Sequence, residues 1–303
     1  MSTIEPINDL PTPLEPWRGI ILFFLHTYPT SNIVWLLRTR RQEQSKLEMM
    51  ASQRQRPDIG LRVNIIHQPE DIIQAFDCVC EAFGRQVQDG IWTAMNPGWD
   101  TPQGRAYGAE RMVARWRHKT NNKDGLPNTI FLKATLPCPQ FEDRRIIVGF
   151  GIWVQASSVE GHGDPPTEDL TNSMDLDALY PDDEPERRYL CQVVSSLHRR
   201  RTEVIKQKAT AMPPAVMILD MCAVDPAHQR KGIARELVRW GIDEAQRRGN
   251  LEAITEASSM GRHVYGQMGF QADGSEIEYV VDDEFASRPK PPNLFMRTHE
   301  NVV

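Results

Sequence analysis

The spacing of apolar and polar positions becomes regular only after residue 60 of the 303-residue chain. Leu61–His67 alternates between the two and predicts a strand, and the apolar positions that follow Pro69 recur at helical spacing. This helix is predicted to end at Gly84, because a glycine after the last periodic residue is a common helix stop. A turn-rich stretch with two tryptophans separates the helix from the next element.

Beyond that stretch, helices and strands alternate. In chain order the pattern predicts a helix over 109–122, hairpin strands over 129–136 and 144–157 with a longer-than-minimal connection, a basic helix over 186–208, strands over 215–224 and 251–258, a short helix over 261–268, and closing strands over 275–282 and 293–299. The run over 215–224 is apolar except for Asp220, and such a run is typical of a central strand buried on both faces. The alternation of predicted helices and strands over residues 61–303 is typical of an α/β fold.

The first 60 residues carry no recognised motif and are predicted to be an extension of this domain. Two apolar runs within them, Gly19–Leu25 and Ile33–Leu37, are each much shorter than the ~20 residues that cross a bilayer. Acidic residues precede the first run, which argues against a signal peptide. Basic residues follow the second run, so association with a membrane through residues 19–37 is the alternative to a packed extension.

Composition narrows the classes of partner. The formal net charge of −6 argues against a nucleic-acid binder, which usually carries a basic face. The five cysteines are scattered, and no CxxC pair or histidine-rich cluster accompanies them. Neither a disulfide framework nor a metal site is therefore expected. We predict an intracellular, cytoplasmic protein in a reducing compartment.

The segment after the central strand carries the first chemical signal: "AVDPAHQRKGIARELVRWGIDEAQRRG", residues 223–249. Pro226 ends the strand, and an amphipathic helix follows Gly232. The first N–H groups of a helix lack intrahelical partners and carry partial positive charge, to which Arg230 and Lys231 add. Gly232 lets a ligand approach the backbone, so the turn is predicted to bind phosphate. It is neither a Walker loop nor a dinucleotide fingerprint, whose glycines are absent.

A second motif downstream makes the turn resemble a known family. Gln229, Gly232 and Ala234 form the pattern Q-x-x-G-x-A, and "EASSMGRHVYGQMGF" follows over 256–270. The pair resembles the GNAT superfamily of acyl-CoA-dependent N-acetyltransferases and looks most like its members from filamentous fungi. The likeness is clear over 216–270 and looser over 61–155. Ala234 departs from the second glycine that the family usually has, which leaves slightly less room for phosphates.

The resemblance implies acetyl-CoA as co-substrate and a mixed sheet that splays at its centre and is flanked by helices. The pantetheine arm would lie between the strands that end at Val224 and near Ala257, with the pyrophosphate on the turn. Backbone N–H groups near Ala223 and Val224 would stabilise the oxyanion. The implied cofactor-binding residues are Cys222, Ala223, Val224, Gln229, Arg230, Lys231, Gly232, Ile233 and Ala234.

Three residues are predicted to be catalytic, and for each of them a purely structural role is the alternative. Tyr265 holds the place of the family's usual general acid and is expected to ionise near or below a pKa of about 10; otherwise it is a core tyrosine with a bonded hydroxyl. Glu256 is predicted to be the base, or a cap partner for the turn at Ser258. Asp220 interrupts a buried strand and so needs a partner or a raised pKa, which makes structural pairing the alternative to catalysis.

Further positions are predicted from their place in the pattern. Cys222 is expected on the same sheet face as Asp220, where a small buried hydrophobic residue is the default interpretation. Trp92 and Trp99 lie where the resembled fold usually builds its acceptor pocket. They are candidates for substrate binding, with plain packing as the alternative.

The predicted reaction is direct transfer of an acetyl group from acetyl-CoA to an amine of a small molecule, peptide or protein, without a metal. A GNAT-like module that binds acyl-CoA without turnover is one alternative, and Tyr265 favours an enzyme over it. An O-acylating or non-acetyl acyltransferase of the same fold is the other. Nothing in the sequence separates amine from hydroxyl acceptors.

Overall fold

A computed structural model describes residues 59–167 and 169–298 of the chain. The strands are β1 (Arg62–Ile65), β2 (Thr129–Cys138), β3 (Phe141–Ala156), β4 (Val216–Val224), β5 (Glu252–Ala257), β6 (Phe270–Glu276) and β7 (Leu294–Thr298). The α-helices are α1 (Pro69–Val79), α2 (Gly90–Met95), α3 (Pro102–Arg117), α4 (Leu176–Leu179), α5 (Glu184–Gln207), α6 (Ile233–Arg247) and α7 (Gly261–Gln267).

The predicted N-terminal extension, up to residue 58, lies outside the described residues, and so do the apolar runs over 19–37. In the part of the chain that is described, none of the helices combines the length and the apolar character that a membrane crossing requires.

The seven strands form one sheet in the order β1-β2-β3-β4-β5-β7-β6. Neighbouring strands are antiparallel except β4 and β5, which run parallel. Apolar side chains of α6 and α7 cover one face of the sheet, here called the α6 face. Helices α1, α3 and α5 cover the other, here called the α5 face. The predicted α/β fold with a mixed sheet flanked by helices is confirmed.

The two parallel strands separate soon after they begin to pair. Val216–Ile218 of β4 pairs with Glu252–Ile254 of β5, after which the two strands continue without pairing each other. The buried Thr255 hydroxyl lies in the widening gap and donates a hydrogen bond of 2.9 Å to the Leu219 carbonyl. This satisfies a carbonyl that the lost pairing would leave unbonded. The central splay implied by the resemblance is confirmed.

A β-bulge at Asp220 changes which face the end of β4 presents. Leu219 pairs with Trp153 and Met221 with Ile152, so Asp220 is the extra residue on β4. Leu219 and Cys222 consequently both pack on the α6 face, whereas Asp220 bonds arginines of α3 and α5 on the opposite face. The expectation that Asp220 and Cys222 share a face is wrong, because strict alternation does not survive the bulge.

The first helix does not end at Gly84. It continues past Val79 as a π-helix, Cys80–Val87, and stops at Gln88, whose φ is +53°. A Cβ at Gly84 would lie 2.5 Å from the Trp99 ring, so the glycine serves close packing and not termination.

Other predicted elements also differ from the structure, among them the helix predicted over 109–122, which spans Pro102–Arg117. The β2–β3 connection is tight, with Cys138 paired to Phe141, and helix α2 lies within the stretch that was predicted to be turns. The strand predicted over 275–282 ends at Glu276. Beyond it the backbone N–H groups of Val280 and Asp282 bond side chains of α5, which removes them from any strand ladder.

Candidate functional site

The basic turn is built as the beginning of a helix whose terminal amides have no side-chain cap. Gly232, with φ of +84°, is the N-cap of α6 and has no side chain with which to cap the first turn. Arg230 also has a left-handed φ, +63°. Backbone N–H groups brought together by left-handed residues at a helix N-terminus form an anion-binding concavity. This geometry is consistent with an anion site, and binding of a pyrophosphate by the turn stays a prediction.

Gln229 holds this turn in place through protein contacts. Its side-chain amide donates to the Val224 carbonyl at 3.3 Å and exchanges two hydrogen bonds with Gln86 of the π-helix, at 2.7 and 3.1 Å. Arg230 and Lys231 are exposed beside it, and the Lys231 Nζ is 3.2 Å from the His228 ring. The two cations remain accessible to an anion, whereas the Gln229 side chain is already engaged.

The backbone at the end of β4 offers two N–H groups toward the splay. Asp225 N–H bonds the Val148 carbonyl across the β3–β4 pair. Antiparallel pairs alternate, so the Ala223 N–H also points to β3, and those of Cys222 and Val224 point toward β5. The oxyanion donors that the geometry offers are therefore Cys222 and Val224. The predicted participation of the Ala223 N–H is corrected, because that group faces β3.

Tyr265 lies on α7, with its ring packed against Phe270 and its hydroxyl at the Cys222 thiol of β4. The side chain is buried at 7 % exposure. Burial raises the pKa of Tyr265 well above 10, and Cys222 raises it further. Burial likewise raises the pKa of Cys222 to about 12. The expected phenol pKa near or below 10 is thus wrong, and both groups are protonated at neutral pH.

The two predicted carboxylates lie on the α5 face and share one arginine. Arg201 of α5 donates to both Glu256 oxygens, at 3.0 and 3.1 Å, and to Asp220 at 2.8 Å. Arg115 of α3 completes the group with a 2.8 Å bond to Asp220. Burial alone would raise the pKa of Asp220, but the two guanidiniums hold it well below its usual range. Glu256 therefore forms an ion pair with Arg201. The turn at Ser258 is capped by the Ser258 hydroxyl, which accepts a hydrogen bond from the Gly261 N–H.

His198 joins this charged group from α5. Its enclosure lowers its pKa to about 3, with the Arg201 charge acting in the same direction and Asp220 opposing it. The imidazole is consequently neutral at physiological pH. A base this weak is poorly matched to deprotonating an ammonium group.

Neither His198 nor Arg201 was predicted from the sequence, although a signal for them exists. Both fall on the helical stripe that also carries Val194 and Ile205, which are buried in α5. Basic residues on an apolar stripe predict a buried ion partner, and Asp220 is a carboxylate in a buried strand.

The two tryptophans lie in one aromatic cluster on the α5 face. Trp92 is 7 % exposed, with its ring centroid 6.0 Å from Trp99, 6.2 Å from Phe76 and 6.1 Å from Phe83. Trp99 also covers Gly84. Packing accounts for these contacts, and binding of an acceptor by either ring stays a prediction.

The comparisons with known proteins bear on this region. A model of the acetyltransferase (GNAT) family matches residues 180–270, which span α5, β4, the basic turn, α6, β5 and α7. Over this segment the resemblance is confirmed at the level of the family, while its link to filamentous fungi is not. No curated protein matches the sequence.

Solved structures resemble the chain only distantly. A mosquito arylalkylamine N-acetyltransferase like 5b has 12 % identity and a TM-score of 0.48, and covers 78 % of this chain and 99 % of its own. A Drosophila melanogaster polyamine N-acetyltransferase has 11 % identity and a TM-score of 0.47, over 78 % and 97 %. Arylalkylamine N-acetyltransferase 2 from Aedes aegypti has 16 % identity and a TM-score of 0.45, over 80 % and 99 %. Similarity this distant indicates no substrate.

Proposed function

We propose that this protein transfers an acetyl group from acetyl-CoA to an amine. The observation that carries the proposal is the coincidence of the β4–β5 splay with the uncapped N-terminus of α6. The splay provides a cleft between two strands, and the helix N-terminus provides an anion site at the end of the first strand. The family model that matches residues 180–270 supports the same assignment.

The residues that would hold acetyl-CoA follow from this placement. The turn that contains Arg230, Lys231 and Gly232 would hold the pyrophosphate, and the strand edges beyond Ile218 and Ile254, which do not pair with each other, would hold the pantetheine arm. When bound, acetyl-CoA supplies the acyl group as a thioester. The N–H groups of Cys222 and Val224 point into the cleft and would donate to the oxygen on which negative charge develops.

Tyr265 serves the departing thiolate. An aliphatic thiol has a pKa of about 8.5, lower than the raised pKa of the Tyr265 phenol, so complete proton transfer from the phenol is uphill. The hydroxyl therefore acts first as a hydrogen-bond donor to the thiolate. The thiolate is protonated afterwards, when solvent enters the site. Because the pKa of Tyr265 is raised well above 10, the hydroxyl remains a neutral donor at neutral pH.

The acceptor would approach from the α5 face, where the carboxylates lie. As the N–C bond forms and the C–S bond breaks, the amine must lose a proton. Glu256 is within this face but is held in a bidentate contact with Arg201. We assign it the role of accepting that proton through a water molecule, with Asp220 holding Arg201 in position.

The experiment that tests the assignment measures binding and turnover separately. Gly232→Glu places a carboxylate at the turn, where like charge would weaken acetyl-CoA binding by about 100-fold or more. Calorimetry with acetyl-CoA measures the affinity, and thiol release in the presence of a panel of amines measures turnover.

Gly232→Ala is the matched control, since it introduces the same left-handed strain without the charge. It should keep most of the affinity that Gly232→Glu loses. Unchanged affinity in a folded Gly232→Glu protein would refute the phosphate site. Acetyl-CoA binding without turnover on any amine or alcohol would instead favour a binding module.

A further inference from the structure

The basic turn between β4 and α6, residues 226–232, contains strained backbone. Arg230 has φ of +63° and Gly232 has φ of +84°. A left-handed conformation is unfavourable for a residue that carries a side chain, and it persists only where the surrounding structure fixes it. An anion site made of backbone N–H groups depends on this conformation. The contacts that fix the turn therefore bear on acetyl-CoA binding.

Several hydrogen bonds of the turn are local. The Asp225 carboxylate accepts a bond of 2.8 Å from the Ala227 N–H, and the Asp225 carbonyl accepts one of 2.8 Å from the His228 N–H. The Lys231 Nζ lies 3.2 Å from the His228 ring, also within the turn. Bonds of this range hold neighbouring residues together, but they do not tie the turn to a distant part of the domain.

Gln229, directly before Arg230, supplies a long-range contact. It joins the turn to Gln86, which is 143 positions away in the chain. The Gln86 Nε2 donates to the Gln229 Oε1 at 3.1 Å, and the Gln229 Nε2 donates to the Gln86 Oε1 at 2.7 Å. An amide both donates and accepts, so this reciprocal pair fixes the orientation of both side chains. The Gln229 Nε2 also donates to the carbonyl of Val224, where β4 ends.

Gln86 projects from a segment that is itself firmly packed. The π-helix brings Phe83 against Trp92, with ring centroids 6.1 Å apart, and a Cβ at Gly84 would lie 2.5 Å from the Trp99 ring. Short π-helical segments are frequent at functional sites. The Gln86 side chain is exposed, so its two bonds reach the turn without belonging to the core.

We propose that Gln86 is a positioning residue for acetyl-CoA: through Gln229 it holds the left-handed turn in the conformation that binds the pyrophosphate. A turn that is fixed before the ligand arrives needs less ordering on binding, which raises the affinity. This inference rests on the proposed binding of acetyl-CoA, and it adds a residue that lies outside the Q-x-x-G-x-A motif.

The test is a double-mutant cycle, with the affinity for acetyl-CoA measured by calorimetry on the full chain. Gln86→Met keeps the length of the side chain but cannot donate, and it should weaken binding by about 5- to 10-fold, the scale of one or two hydrogen bonds. Gln229→Met should weaken binding at least as much, because the bond to Val224 is lost as well. The double variant should bind as Gln229→Met does, since Gln86 acts only through Gln229. Gln74→Met, at an exposed glutamine of α1, is the matched control and should change nothing.

Ionic strength separates positioning from direct attraction of the phosphates. Gln86 and Gln229 are neutral, so Gln86→Met should weaken binding by the same factor at low and at high salt. The factor lost in Arg230→Ala should instead shrink as salt is added, because salt screens an exposed charge. A loss in Gln86→Met that shrinks in the same way would overturn the inference.

Three further results would overturn it. The first is wild-type affinity for acetyl-CoA in Gln86→Met. The second is an additional loss when Gln86→Met is combined with Gln229→Met, which direct contact between Gln86 and the ligand predicts. The third is a Tm lowered by several degrees in Gln86→Met, which general destabilisation predicts and a surface substitution does not. A wild-type chain that does not bind acetyl-CoA would contradict the proposed function itself.

Discussion

At the scale of single residues, Tyr265 shows how burial changes an expected chemical role. The family resemblance assigns it the proton for the departing thiolate, and its position at Cys222 beside the splay is consistent with that assignment. Because its pKa is raised well above 10, the phenol is a weaker acid than the thiol that it would protonate. Its contribution is therefore expected at the low end of the range for proton donors.

Tyr265→Phe removes the hydroxyl and keeps the ring. We expect kcat to fall on the order of 10²-fold, while the KM for acetyl-CoA changes little because the hydroxyl acts in the transition state. The wild-type rate should not decline between pH 8 and about 10, since the raised pKa keeps the phenol protonated there. Initial rates at saturating amine measure the effect of the substitution on kcat and KM, and the pH dependence of the wild-type rate.

A decline of the wild-type rate with an apparent pKa below about 10, absent from Tyr265→Phe, would show that the phenol ionises normally. A variant with wild-type kcat would return Tyr265 to a structural role. Cys222→Ala is a useful companion, because removing the neighbouring thiol should leave the phenol in place.

At the scale of elements, the short helix α7 is shaped to hold Tyr265. A Cβ at Gly261 would lie 2.6 Å from the tyrosine ring and 3.0 Å from its hydroxyl. In the same helix, a Cβ at Gly266 would meet nothing within 4 Å. Only the first glycine is required by the position of the phenol.

Gly261→Ala should consequently displace the Tyr265 ring and lower kcat on the order of 10- to 100-fold, the scale of a misplaced catalytic group. Gly266→Ala changes the same residue type in the same helix and should leave kcat unchanged, with stability raised by up to about 1 kcal/mol. Steady-state rates and thermal unfolding of the pair give the comparison. Equal rates in the two variants would contradict the positioning role of Gly261.

The elements also show what a sequence can predict and what it cannot. The β4 strand and the turn at Gly232 were predictable because a run that is apolar except for Asp220 and a glycine before a helix are local signals. The bulge at Asp220 was not, because one charged residue in an apolar run does not show that the pairing register shifts there. The π-helix was not predictable either, because the spacing of its apolar residues continues that of α1. Arg201 needed a pairing between two distant elements.

At the scale of the molecule, the two faces of the sheet divide the proposed chemistry. The α6 face carries the Cys222–Tyr265 pair in an apolar core, and the α5 face carries the carboxylates and their arginines. The bulge at Asp220 lies in the part of β4 that no longer pairs with β5, so both faces are reached from the splay. A thiolate leaving group on one face and a cationic amine on the other would each meet the environment that suits its charge.

The last prediction concerns where the folding unit begins. Residues Ile59–Val303 form one compact unit, and β1 is its first strand. β1 pairs with β2, and the next residue, Ile66, is 1 % exposed and bonds the Phe131 carbonyl. The Gly60 carbonyl also accepts a hydrogen bond from Arg145. These contacts place the first required residue near 60 and not at Pro69, where α1 begins.

A chain shortened to begin at Arg56 should therefore fold, unfold in one cooperative transition and bind acetyl-CoA as tightly as the full chain. A chain that begins at Pro69 is the matched control: it lacks β1 and the buried Ile66, exposes the edge of β2, and should be unstable or aggregate. Thermal unfolding and acetyl-CoA calorimetry on the three chains distinguish them. If the chain from Arg56 is insoluble or does not bind acetyl-CoA, the preceding residues complete the domain and the predicted boundary is wrong. If the chain from Pro69 folds and binds as well as the others, β1 is dispensable and the boundary lies further along.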